Sequence, residues 1–248
     1  QYFSFDFSQW EPGEIIRSCF GSEIDQRSNY TKAIWSFLLG ILLSRKLVLG
    51  DGTKINKSDE FLQRIDSDTL KELDSLIRAL SYIQKNELIE NQVTYAAKMF
   101  LTRKNWKSIG SGANYNSAKY AAKLLIKELG RACAFDVLEN HKHIDMSAES
   151  AILVFITGIW KHGYQEDALS ELKKMLAHNS LPVILTDLND NRFDNYSVLV
   201  VHGSGETKEV GVPVIKLPRV SLQFSYPLNV LLLDKITEAL KSVRDSKS

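Results

Sequence analysis

Cysteine is almost missing from this chain: 248 residues carry only Cys19 and Cys133, each in an apolar setting. Two thiols so far apart in sequence exclude a disulfide framework and read as reduced, buried residues of a cytosolic protein. An excess of either charge is missing too. Thirty-one Lys and Arg stand against 30 Asp and Glu, a net charge of +1. Binding to a nucleic-acid backbone draws on surplus cations, so no nucleic-acid partner is expected. Long apolar runs are lacking as well. "AIWSFLLGILLS" is apolar for 12 residues between Lys32 and Arg45, against the roughly 20 that a spanning helix needs. It reads as a buried helix or an oligomer contact, and no membrane partner is expected. The opening "QYFSFDFSQWEPGE" has neither the basic nor the apolar region of a signal peptide. A cytoplasmic location follows as an expectation, and the sequons at Asn29, Asn56 and Asn195 then carry no meaning. The start also lacks an initiator Met, so the chain reads as a fragment or a processed piece. There is no G-x-S-x-G, no P-loop and no cysteine beside a plausible base, which excludes the commonest hydrolase and nucleotide-triphosphatase signatures.

What is present is a change of pattern along the chain. Ser28 to Leu47 has a helical apolar face carrying Ile34, Leu38, Ile41 and Leu42. "LGDGTKINKSDE" is turn-rich and reads as a linker, and Asp66 to about Arg103 predicts two helices in antiparallel contact. Short apolar runs then alternate with helical patterns: "KSIG", a helix over about 114–129, "ACAFDV", "AILVFIT", a helix over about 165–177, "PVILTD", "SVLVVHG", "PVIKLP", and a last helix over about 222–243. Such alternation predicts an α/β fold with a mainly parallel sheet covered on both faces. "AILVFI" and "PVILT" are continuously apolar, as strands buried on both faces should be.

Ligands of open α/β sheets bind at the carboxyl ends of strands, beside helix N-termini. Gly110-Ser111-Gly112 occupies such a strand-to-helix turn. The amides entering the helix at Ala113 to Tyr115 would offer a partial positive end to a phosphate or to sugar oxygens. Ser111, Asn114 and Ser117 would add polar contacts. The plain alternative is a tight corner that needs glycine and nothing else.

The run from Gly110 to Ile152, with two flanking segments, resembles the second sugar isomerase (SIS) domain of the glucosamine-6-phosphate synthase family. The residues that carry the resemblance are "GSG", then "IKELG" with Lys127 and Glu128, the strand "ACAFDV", and "ENHKHID" with Lys142 and His143. Downstream, "VIKLPRVSLQFSYPLNVLLLDKI" resembles the family's closing segment at Leu217, Pro218, Val220, Pro227 and Leu228. Upstream, "YTKAIWSFLLGILL" is similar to the helix that ends the family's first SIS domain, with Thr31 and Lys32 in register. The resemblance implies an SIS-type three-layer αβα sandwich with a five-stranded sheet over 104–248. It implies a linker and helical segment over 49–103 and the tail of a preceding SIS-like domain over 1–48. Departures are plain: Tyr30 stands where the family has Ser, and His143-Ile144-Asp145-Met146 lacks the family's Gly and Pro. Ser204-Gly205-Glu206-Thr207 mimics the family's phosphate loop but leads into Gly211 and Pro213, which suit a connecting turn rather than a helix.

The family makes glucosamine 6-phosphate from fructose 6-phosphate and glutamine. By resemblance Glu128 would shuttle the proton between C1 and C2 and His143 would open the ring. Gly110, Ser111, Gly112, Asn114, Ser117, Lys123 and Lys142 would hold the sugar phosphate. In the family the histidine comes from the partner subunit, so a homodimer, or a missing N-terminal part of a longer chain, is the expected partner beside a hexose or hexosamine phosphate. Lys119, Lys123 and Lys127 also form an i, i+4, i+8 stripe of the kind that marks a solvated face. No metal and no cofactor are expected: His141 and His143 lack a third ligand, and "GSGANYN" lacks the third glycine of a dinucleotide fingerprint, with Asp136 the one candidate ribose holder. Two functions follow. One is a sugar-phosphate isomerase-type domain of an aminotransferase; the alternative is a non-catalytic SIS-like module that binds a sugar phosphate or dimerises.

Overall fold

The computed structural model describes residues 67–143, 147–159, 163–201 and 206–246, with side chains from residue 75 onward except 141–143. The helix expected over 28–47 lies outside the described residues. Two compact units divide the chain, Gln1–Leu73 and Asp74–Ser248; the second carries everything that follows.

Helix α1 (Ser67–Lys85) and helix α2 (Glu87–Phe100) are separated by Asn86 alone. One residue is shorter than the connection of an antiparallel helical hairpin, so the expected antiparallel pair is instead a corner. Asn86 makes it: its backbone is extended and its side-chain Oδ1 accepts from the Leu88 amide at 2.8 Å, capping α2. Ile89, Val93, Ala96, Ala97 and Phe100 recur at helical spacing and are buried.

The sheet holds β1 (Asn105–Gly110), β2 (Cys133–Asp136), β3 (Ser150–Ile156), β4 (Leu181–Thr186) and β7 (Val214–Lys216) in the order β2-β1-β3-β4-β7, every neighbouring pair parallel. Every residue of β3 and β4 is buried, which is why those runs are apolar without alternation. Helix α3 (Ala113–Leu129) connects β1 to β2, and α4 (Gln165–Ala177) connects β3 to β4. The long α5 (Ser225–Asp245) packs on both α2 and α3. These three helices form one outer layer; α4 and a 3-10 turn at Leu138–His143 form the other. The architecture is thus the αβα sandwich expected, with helices ahead of its sheet.

One strand departs from expectation. β5 (Ser197–Val201) pairs with β6 (Thr207–Gly211) in a separate antiparallel ladder. In it Val198 and Val200 are buried while Leu199 and Val201 are exposed, the alternation of a strand with one wet face. Thr207 opens β6, and residues 202–205, which hold Ser204, lie outside the described residues. No helix among the described residues is long and apolar enough to cross a membrane.

Candidate functional site

The strand order reverses between β1 and β3: the chain leaves β1 toward one face and β3 toward the other. This is the point at which open α/β sheets bind ligands, and the Gly110–Gly112 turn sits there. Both glycines also have local reasons. A Cβ on Gly110 would lie 2.6 Å from the Asn114 carbonyl oxygen, so α3 starts this close to β1 only without a side chain. Gly112 has φ +58° and ψ −127°, a conformation open to glycine alone. The amides of Asn114 and Tyr115 donate to the carbonyls of Ser111 and Gly112 at 3.1 Å each, closing the first turn. Those two amides, expected to face a ligand, are therefore spent locally.

Ser111 is tied to a residue that sequence reasoning missed. Its hydroxyl donates to Glu139 Oε2 at 2.5 Å and accepts from the Leu138 amide at 3.2 Å. Glu139 is exposed on the 3-10 turn after β2. The turn is held by Asp136, which accepts from the Val137 amide (2.8 Å) and from Asn140 Nδ2 (2.9 Å). Asp136 thus works as a cap, the job its spacing of three residues from Glu139 resembles, rather than as a free ribose holder.

Asn114 and Ser117 are buried, and their side chains serve an internal network. Asn114 Nδ2 donates to the Thr157 carbonyl at 2.8 Å, while its Oδ1 accepts from Thr157 Oγ1 (2.7 Å) and Asn229 Nδ2 (3.1 Å). Asn229 Nδ2 also reaches Ser117 Oγ (3.0 Å) and Thr157 Oγ1 (2.9 Å). The network joins the start of α3, the end of β3 and α5 directly beneath the turn. Thr157 and Asn229 had no signal in sequence, because their partners are 43 to 115 positions away.

A second cluster lies one strand along. Asp187, 3% exposed, follows β4. Its carboxylate accepts from the Gly158 amide (3.0 and 3.1 Å) and the Val220 amide (3.3 Å), tying together the exits of β3, β4 and β7. Burial pushes it up to about 6, opposed by those amides and by the charge of Arg219. Gly158 has φ +73°, and a Cβ there would lie 2.5 Å from the Leu222 Cα.

The expected catalytic pair is not brought together within the chain. Glu128 ends α3, which runs back from the turn for 16 residues, about 24 Å, to the amino edge of the sheet. There Lys241 Nζ donates to Glu128 Oε2 at 2.6 Å, and Lys127 lies 3.4 Å from Oε1. The Lys241 bond first, with Lys127 beside it, holds the carboxyl below its ordinary range. His143 ends the 3-10 turn on the carboxyl side. The side chains of Lys142 and His143 lie outside the described residues. Lys123 is exposed on α3, as a solvated stripe requires. Cys133 is buried, and burial pushes its thiol up to about 12, so it is inert at neutral pH.

No protein-family profile matches the chain, and no curated protein matches it by sequence. Solved structures do. The C-terminal domain of glucosamine-fructose-6-phosphate aminotransferase from Francisella tularensis has a TM-score of 0.56 at 13% identity, over 72% of this chain and 45% of that one. The Escherichia coli CFT073 protein c3406, solved in complex with a sugar phosphate, has a TM-score of 0.52 at 12% identity, over 77% of this chain and 94% of that one. The chain therefore has the SIS-type αβα fold that its motifs resemble. At these identities what is shared is the fold, and the chain spans less than half of the Francisella chain.

Proposed function

We propose that this chain is an SIS-type module that binds a hexose or hexosamine 6-phosphate at the β1–β3 switch point. The observation that carries the reading is the Gly110–Gly112 turn, set where the strand order reverses, with the Ser111 hydroxyl and the exposed Glu139 carboxylate at its mouth. Glu139 is an acceptor for sugar hydroxyls, Ser111 both donor and acceptor. The positive end of α3 and Lys142, three residues beyond Glu139, supply the attraction for phosphate. Asn114 and Ser117 act from beneath, by fixing the turn through Asn229, rather than by touching ligand.

Binding comes first in this proposal and isomerisation second. Glu128 and His143 stand on opposite edges of the sheet, so as a catalytic pair they need a second copy of the chain. The c3406 protein, solved with its sugar phosphate, is consistent with a phosphosugar ligand on this fold. Thermal unfolding with ligand tests the reading. A ligand at 100 times its Kd stabilises by about 2.7 kcal/mol, so glucosamine 6-phosphate or fructose 6-phosphate should raise Tm by several degrees where glucose does not. Ser111→Leu should abolish the rise while leaving the unliganded Tm within a few degrees. An equal rise in wild type and variant would remove the ligand from this turn.

A further inference from the structure

Beyond β7, at the far end of the sheet's carboxyl edge, lies a groove of about 550 Å³, within the range of small-molecule sites. One wall is a single face of α1, with Ser75, Arg78 and Tyr82 at i, i+3 and i+7; the other is the chain leaving β7, with Lys216, Pro218 and Arg219. The lining residues carry three cations and no carboxylate. Lys216 Nζ is held by Asp194 at 2.9 Å at the rim; the other two cations are the guanidinium groups, one on each wall. Guanidinium forks match phosphate oxygens two at a time. Arg219 is backed by the buried Asp187 carboxylate, whose amide bonds to Gly158 and Val220 fix the loop that carries it. Tyr82 is 41% exposed, so part of its ring stays open beside Pro218.

We infer that this groove is a second binding site, for a small phosphorylated molecule whose ring lies against Tyr82. It is separate from the β1–β3 turn: three inter-strand spacings, about 14 Å, lie between β1 and β7. The phosphate meets Arg78 and Arg219, and the apolar wall takes the sugar or base.

Titration calorimetry on the full 248-residue chain tests the inference with pyrophosphate, AMP and glucose 6-phosphate. At least one of the three should saturate a single site whose Kd is weakened tenfold or more by Arg78→Glu, severalfold by Arg78→Gln, and not at all by Ser111→Leu. Arg78 is exposed, so both variants should melt within a few degrees of wild type. Tyr82→Ala should weaken AMP or glucose 6-phosphate but not pyrophosphate, and the tighter of the two tells whether base or sugar lies on the ring. Failure of all three probes to bind, or binding that ignores Arg78→Glu, would overturn the inference. Loss on Ser111→Leu alone would assign the ligand to the switch-point turn instead.

Discussion

Two glycines in this chain share the left-handed region yet stand in different surroundings. Gly130, at φ +65°, ends α3 with open space where a Cβ would be; Gly158, at φ +73°, faces the Leu222 backbone at 2.5 Å. An alanine at 130 meets only the backbone penalty, about 1–2 kcal/mol. An alanine at 158 adds a clash that only backbone movement relieves, a further 1–3 kcal/mol or so, roughly, in the loop that the Asp187 carboxylate holds. Urea unfolding of Gly130→Ala and Gly158→Ala should reproduce that order; equal losses would contradict the packing at Leu222. Asp187 itself gives stability a pH dependence. Its carboxyl lies at about 6 when folded against 3.8 in its ordinary state, so the folded protein holds the proton more tightly. The contribution is fully present below about pH 4 and is lost as pH rises through 6, at most about 3 kcal/mol. The wild type should therefore lose stability relative to Asp187→Asn between about pH 4 and 7. A difference that stays flat across that interval would mean the carboxylate is not desolvated.

At the scale of elements, the buried Asn114–Thr157–Asn229–Ser117 network is what joins α3, β3 and α5. Removing its central member strands three buried partners. Asn229→Leu is predicted to cost about 2–4 kcal/mol and to weaken sugar-phosphate binding through the displaced turn. A chemical-denaturation midpoint that is unchanged would contradict the network. The elements themselves were largely legible in sequence, for local reasons. Gln165 to Ala177 carries its full helical period, and β3 and β4 are unbroken apolar runs between polar turns. β5 was legible as a strand but not as a member of a second sheet: "SVLVV" is apolar at every position after the serine, and only its partner β6, "TKEVG", shows that one face is wet. The corner at Asn86 was missed because the apolar period passes through it almost unbroken, while the cap is a single side chain.

For the whole molecule, the order β2-β1-β3-β4-β7 decides which residues can act together. The turn at Gly110 and the 3-10 turn after β2 were each visible as motifs, and the fold sets them side by side. Glu128 was equally visible, yet α3 carries it about 24 Å away, because a helix between parallel strands must run back to their starting edge. Sequence spacing shows residue types; the direction of the crossover decides their company. A consequence concerns activity. If Glu128 and His143 do react with one sugar, they come from two copies, and a mixture of Glu128→Gln and His143→Ala chains should regain fructose 6-phosphate isomerisation that neither variant has. Turnover by a strictly monomeric chain would contradict the placement of Glu128.

The central claim, a sugar phosphate bound at the switch-point turn, is tested most directly by titration calorimetry of the 248-residue chain with glucosamine 6-phosphate and fructose 6-phosphate, with glucose as the control. Saturable one-site binding of a phosphate but not of glucose, lost in Ser111→Leu and retained in Arg78→Glu, is the predicted result. Absence of binding by both phosphates, or binding indifferent to Ser111→Leu, would contradict it.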